Sequence, residues 1–222
     1  MASTSEKLEL KIVGTRPIRP DGVDKVTGRA NFGADMKMPG MLHGKVKRSP
    51  YPHARILKID IAKVLALPGV RAVVTAADFP EIKSEEAFVG EGPMNFRDLS
   101  RNVMARNKVL YEGHAVAAVA ATSPLIAAEA IDLIEVEYAP LPYVIDVEDA
   151  MAPDAPVLHE DMFTQGVEPK PEKPSNIAKR VGFKKGNSEE GFRLADVIIE
   201  RRYSTQPVHQ GYIESHACVC PM

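Results

Sequence analysis

The chain has 222 residues, of which 45% are hydrophobic and 26% charged, and a formal net charge of −2. These are the values of a globular protein long enough to bury a core of its own. The near-neutral balance leaves no basic field for nucleic acid, and the longest apolar run, AVAAVAA from Ala115 to Ala121, is far too short to cross a bilayer.

The opening MASTSEKLELK carries no apolar core of the kind a signal peptide needs. Residues up to about 40 are dense in Gly, Pro and charge and read as a loop-rich lead-in. MLHGKVKRS and ARILKIDI follow as strands. The second predicts Leu57, Ile59 and Ile61 on one face, with Ile56, Lys58 and Asp60 on the other. Asp60 is placed to cap a short helix, IAKVLAL, that stops at Pro68-Gly69. VRAVVTA is a β-branched strand, and residues 78–108 read as an irregular polar excursion.

VLYEG leads into HAVAAVAA, whose small residues suit a central strand covered on both faces, with a helix lying close. SPLIAAEAIDLIEVEY is the clearest helix signal. Ser123 is its N-cap, Pro124 its first residue, and Ile126, Ala127, Ala130, Ile131 and Ile134 its buried stripe. IEVEY then alternates as a strand. From about residue 139 to 187 the chain turns rich in proline and acid, a linker expected to lie along a surface. Its Tyr143, Val144, Ile145, Val157, Leu158 and Phe163 need something to pack against. A capped short helix at Ser188 and a strand, VIIERRYS, close the series. The order is β-β-α-β, an excursion, then β-α-β, which makes the fold α+β or α/β.

Chemistry-bearing motifs are sparse. Neither G-x-G-x-x-G nor G-x-x-x-x-G-K-[ST] occurs, so neither phosphate cradle is available. The two cysteines, Cys218 and Cys220, form a C-x-C pair whose thiols share a face on an extended chain, and they suit a reducing, cytoplasmic setting. His216, Cys218 and Cys220 would diverge along one strand rather than converge on an ion, so no metal site is expected. Ser215 and His216 point apart and lack a third partner. His53, in SPYPHAR, reads as a hydrogen-bonded turn histidine.

Several ordered stretches resemble the large subunit of the molybdenum hydroxylases, the family of xanthine dehydrogenase, aldehyde oxidoreductase and aerobic carbon monoxide dehydrogenase. RPDGVDKVTGRANFGADMKMPGMLHGKVKRSPYPHARI resembles the family's opening, and LPGVRAVVTAADFP the strand and turn that follow. NKVLYEGHAVAAVAATSPLIAAEAIDLIEVEYAPLP resembles the closing strand–helix–strand of its α/β hammerhead domain. DAPVLHED and Asn176 fit the family's linker, and GNSEEGFRLADVIIERRYSTQPVHQGYIESHACV the start of its first molybdopterin-binding domain.

The resemblance implies an α+β fold. A lead-in at 1–15 precedes the hammerhead at 16–140, an extended linker at 141–187 and the first strands of an incomplete molybdopterin-binding domain at 188–222. It implies that Gln210, in VHQGYIE, lies near the molybdenum of an assembled enzyme. Val208 occupies the alternative slot, and His209 and Glu214 are structural. The family's pterin cradle and general-base glutamate lie beyond this stretch. The molybdopterin cofactor would therefore be completed by a further molybdopterin-binding polypeptide. Iron–sulfur clusters and FAD would sit on an iron–sulfur subunit and an FAD subunit, and the chain alone would hold no cofactor and show no turnover. The expected location is cytoplasmic, or periplasmic if the chain is exported with a partner's signal. The competing reading is a non-catalytic binding or assembly module left by truncation.

Overall fold

Ser123 accepts a hydrogen bond from the Ile126 N–H at 3.2 Å, and Pro124 follows it, so a helix starts where the sequence places it. The structure, a computed structural model, describes residues 11–89, 92–212 and 216–220. It divides into two units, Gly40–Glu200 and a second made of Met1–Pro39 with Arg201–Met222.

In the larger unit the elements are β1 (His43–Arg48), β2 (Ala54–Asp60), α1 (Ala62–Leu65), β3 (Val70–Thr75), β4 (Glu86–Val89) and β5 (Gly92–Asn95). They continue with α2 (Phe96–Val103), β6 (Lys108–Val109), β7 (Ala115–Ala121), α3 (Pro124–Asp132), β8 (Glu135–Pro140), α4 (Val147–Ala150) and α5 (Ser188–Leu194). Two antiparallel three-stranded sheets result, ordered β1-β7-β3 and β6-β2-β8, with β4-β5 as a separate hairpin. The α+β class that the family resemblance implies holds, and of the two classes the element order allows it is the one found.

β7 is central in its sheet, as its small residues suggest. Ala117, Val119 and Ala121 are buried while Ala118 and Ala120 are only half-buried, so one face is fully covered and the other partly. The covered face meets α3 through Ala130 and α1 through Val64, and Ile134 joins them just beyond α3. Val116, one residue out of phase, contributes to a second cluster with Ala54, Ala105 and Val109. The expected helix stripe holds, with Ala127, Ala130 and Ile134 buried and Ile126 and Ile131 half-buried. Lys47 of β1 donates to the Ile131 carbonyl at 3.1 Å, placing a cation on the C-terminal end of α3.

Gly69 turns the chain from α1 into β3 at φ +95°, and a Cβ there would lie 2.7 Å from Ile126 Cδ1 and 2.9 Å from Thr122 Oγ1. The turn therefore needs glycine both for its backbone and for the closeness of α3.

Four expectations are corrected. β2 does not alternate cleanly: its pairing with β8 slips between Ile56 and Lys58, which leaves Leu57 exposed and lets both Ile56 and Ile59 reach the core. Asp60 caps α1 from one residue farther back, accepting the Ala62 N–H at 3.1 Å, and Ile61 holds the N-cap position. Residues 78–108 contain the β4-β5 hairpin and α2, which Asn95 caps through the N–H groups of Arg97 and Asp98. The helix at 188 is capped by Asn187, not Ser188, and VIIERRYS forms no strand; Val197, Ile198, Ile199 and Tyr203 are exposed. A strand requires a neighbouring strand, and none meets this segment among the described residues.

The linker also makes structure of its own. Residues 162–165 run beside 175–180, joined by Ser175 N–H to Met162 O, Gln165 N–H to Ala178 O, and Arg180 N–H to Gln165 O, each at 2.9 Å. The Asn176 amide accepts from the Leu158 N–H at 3.0 Å and donates to the carbonyls of Ala150 and Pro156 at 3.1 and 3.0 Å. One side chain thus holds three points of a chain with little regular structure. Of the apolar residues needing cover, Val144, Val157 and Leu158 are half-buried, whereas Tyr143, Ile145 and Phe163 stay exposed.

Candidate functional site

Gln210, the one residue that the family resemblance would put near a cofactor, lies in the smaller unit and is exposed. It sits inside a short turn: the Gly211 N–H donates to His209 Nδ1 at 3.0 Å, and Gly211 has φ +63°. A neutral His209 then carries its proton on Nε2. Tyr212 stands edge-on to the His209 ring at 5.7 Å and tilted against His216 at 4.8 Å, so three rings follow the turn. Glu214 lies outside the described residues. Val208 is exposed. Beyond the rings, Cys218 and Cys220 are free and exposed, with their sulfurs 3.5 Å apart. Among the described residues no group of three or more His, Cys, Asp or Glu side chains could hold a metal ion.

The larger unit carries a cleft of about 410 Å³ where the linker crosses α2 and β6, lined by Arg97, Arg101, Lys108 and residues 158–161. Its charges are largely satisfied within the chain. Asp161 pairs with Arg101 at 2.8 Å and Arg97 at 3.1 Å, and Lys108 donates to the Leu158 carbonyl at 2.7 Å and to Glu160 at 3.3 Å. Burial alone would raise the Asp161 carboxyl, but the Arg101 hydrogen bonds and the charges of Arg101 and Arg97 hold it below the ordinary range. Burial first, then the Lys108 charge, pushes His159 down. The arrangement fastens a strap to a helix.

Two further histidines are structural. His53 is buried, with Nδ1 2.6 Å from the Pro142 carbonyl to which it donates, the turn role expected of it. His114 is fully buried; its Nδ1 accepts the Leu110 N–H at 3.2 Å and its Nε2 donates to the Arg101 carbonyl at 2.9 Å. That fixes the tautomer, and burial pushes its pKa down. The Arg97–Arg101 clamp on Asp161 was not anticipated. Its signal is present in NFRDLSRN, where an Asn cap precedes two arginines at helical i, i+4 spacing.

Comparison with known proteins identifies a family. The profile of the aldehyde oxidase and xanthine dehydrogenase a/b hammerhead domain matches residues 27–142, more than half of the chain. A probable xanthine dehydrogenase subunit from Bacillus subtilis is 37% identical over 202 residues, 91% of this chain and 24% of that protein. The carbon monoxide dehydrogenase large chain of Afipia carboxidovorans is 36% identical over 224 residues, 100% of this chain and 27% of that one. A nicotinate dehydrogenase large molybdopterin subunit of Eubacterium barkeri is 30% identical, covering 95% of this chain and 44% of its own length. Among solved structures, a reconstituted CO dehydrogenase from Oligotropha carboxidovorans superposes with a TM-score of 0.57 at 42% identity, over 67% of this chain and 18% of that one. Quinoline 2-oxidoreductase from Pseudomonas putida 86 gives 0.55 at 36% identity, over 64% and 18%. The chain spans about a quarter of the length of the first two curated relatives.

Proposed function

The chain belongs to the aldehyde oxidase and xanthine dehydrogenase family, and from that premise we propose that it is the scaffold portion of a molybdopterin-dependent oxidoreductase large subunit. The observation that carries this reading is the alignment of the whole chain with a large chain of which it spans only about a quarter. In this reading the hammerhead occupies residues 16–140, the linker 141–187 straps onto it, and residues 188–222 begin a molybdopterin-binding domain.

The residues present do not amount to a cofactor cradle. Gln210 offers one exposed amide, and among the described residues no group of three or more His, Cys, Asp or Glu side chains could hold a metal ion. The molybdenum cofactor, which supplies the redox chemistry when bound, would be held chiefly by another molybdopterin-binding polypeptide, with Gln210 adding one hydrogen-bonding side chain. Two cysteines cannot supply the four thiolates of an iron–sulfur cluster. We therefore assign those clusters to an iron–sulfur subunit and FAD to an FAD subunit. No helix among the described residues is long and apolar enough to cross a membrane. The cytoplasmic assignment rests on the two free thiols.

The test is gentle purification of the chain from its source cells, followed by native mass and metal and flavin analysis. The expected result is a species several times the 24.2 kDa chain mass that contains molybdenum, iron and flavin. A single species near the chain mass, without them, overturns the proposal in favour of a stand-alone module.

A further inference from the structure

Cys218 and Cys220 are the chain's whole complement of cysteine, and neither the hammerhead packing nor the strap uses them. Their sulfurs are 3.5 Å apart on exposed side chains. A disulfide needs about 2.05 Å, a closure of about 1.5 Å that side-chain rotation can supply. The segment has a fixed point between them and the preceding rings: a Cβ on Gly33 would lie 3.3 Å from the Ala217 Cβ, so Ala217 is seated against the 3-10 turn Gly33–Asp35. Ala217 keeps this contact while remaining exposed, and the thiols on either side of Val219 are open to solvent.

We propose that Cys218 and Cys220 are a redox-responsive modification site that passes reversibly between a dithiol and an intrachain disulfide under a peroxide or a disulfide oxidant. With hydrogen peroxide, one thiolate attacks a peroxide oxygen; the O–O bond breaks, hydroxide leaves, and a sulfenic acid forms. The second thiolate attacks that sulfur, the S–S bond forms and hydroxide leaves again. The two cysteine protons convert the hydroxides to water, so two thiols are oxidised by two electrons and one peroxide is reduced to two waters.

The ring encloses only Val219 between its cysteines, so closing it removes little unfolded-chain entropy, and the bond is readily reduced again. That separates a switch from a structural staple. The hydrogen bond to Cys220, then its charge, pushes the Cys218 thiol up, so oxidation quickens as pH rises into the thiol range.

The experiment treats the full chain with hydrogen peroxide, and separately with oxidised glutathione, then reads intact mass and non-reducing electrophoresis. The expected product is a monomer lighter by two hydrogens, returned to the starting mass by dithiothreitol. Cys218→Ser and Cys220→Ser must each abolish the two-hydrogen loss and instead accumulate an oxygen or a glutathione on the remaining thiol. The proposal fails if the native chain takes up oxygen or glutathione on both thiols, or forms covalent dimers, without the two-hydrogen loss. It fails equally if the loss survives in either serine variant.

Discussion

Asn176 illustrates how one side chain can replace secondary structure. Its amide serves the Leu158 N–H and the carbonyls of Ala150 and Pro156, three backbone groups that no sheet or helix satisfies. Asn176→Ala leaves these partly buried groups without their partner, and the expected cost is about 1–3 kcal/mol, read as a lower urea midpoint. Proteolysis within residues 150–165 should quicken in parallel; an unchanged midpoint and cleavage rate would show that the amide is dispensable. His114 makes a different demand, on pH. Burial keeps the folded imidazole neutral, so its folded pKa lies below the unfolded value of ~6.5. The stability this provides is complete above about pH 6.5 and is lost as pH falls towards the folded pKa, because the unfolded chain takes up a proton that the folded chain refuses. Stability should therefore drop as pH falls below about 6.5, with half-buried His159 contributing in the same direction. His114→Gln should lower stability at every pH yet flatten that slope. A slope as steep as the native one would assign the effect to other groups.

At the scale of elements, the join between β3 and α3 depends on Gly69. Alanine there would meet Ile126 Cδ1 at 2.7 Å and Thr122 Oγ1 at 2.9 Å on a backbone with φ +95°. We expect Gly69→Ala to cost about 1–3 kcal/mol, from the backbone strain and the overpacking of α3 together. A companion Ile126→Val, which removes the Cδ1 carbon, should recover part of that loss if the clash is its cause. The same join shows what a sequence can reveal. Ser123, Pro124 and the spacing of Ala127, Ala130 and Ile134 are local signals, and the structure uses each as they suggest. The slip in β2 was not legible, since nothing in ARILKIDI marks where β8 changes register; the bulge is a property of the pair. The Asp161 clamp escaped for a related reason. Arg97 and Arg101 are separated from Asp161 by some sixty residues of chain, and only the folded strap brings them together. Family likeness in the terminal stretch was legible as motif, whereas the strand read into VIIERRYS depended on an absent neighbour.

For the molecule as a whole, the distribution of apolar groups is the informative fact. The buried core is built almost wholly from alanine and valine, with Ile134 its largest aliphatic member among the described residues. Further apolar side chains, some of them larger, stand outside it: Phe192 is 62% exposed, Val197 74%, Ile199 75% and Tyr203 87%. A chain of this length ordinarily buries such residues, because each contributes about 1.5–3 kcal/mol when taken out of water. Within the proposed large subunit, the stretch of Val197 to Ile199 is where a further polypeptide would add its strands. Val197 and Ile199 are alternate residues and share a face once the segment is extended. Replacing both with lysine removes nothing from the core, so the melting of the isolated chain should stay within about 0.5 kcal/mol of native. Assembly should suffer far more: forfeiting two buried side chains amounts to about 3–6 kcal/mol, at least a hundredfold in affinity. Co-purification of the complementing polypeptide with the native and V197K/I199K chains measures this directly. If the double variant still assembles at native yield, the segment is not the joint, and the exposed apolar side chains at Phe192 and Tyr203 become the next place to look.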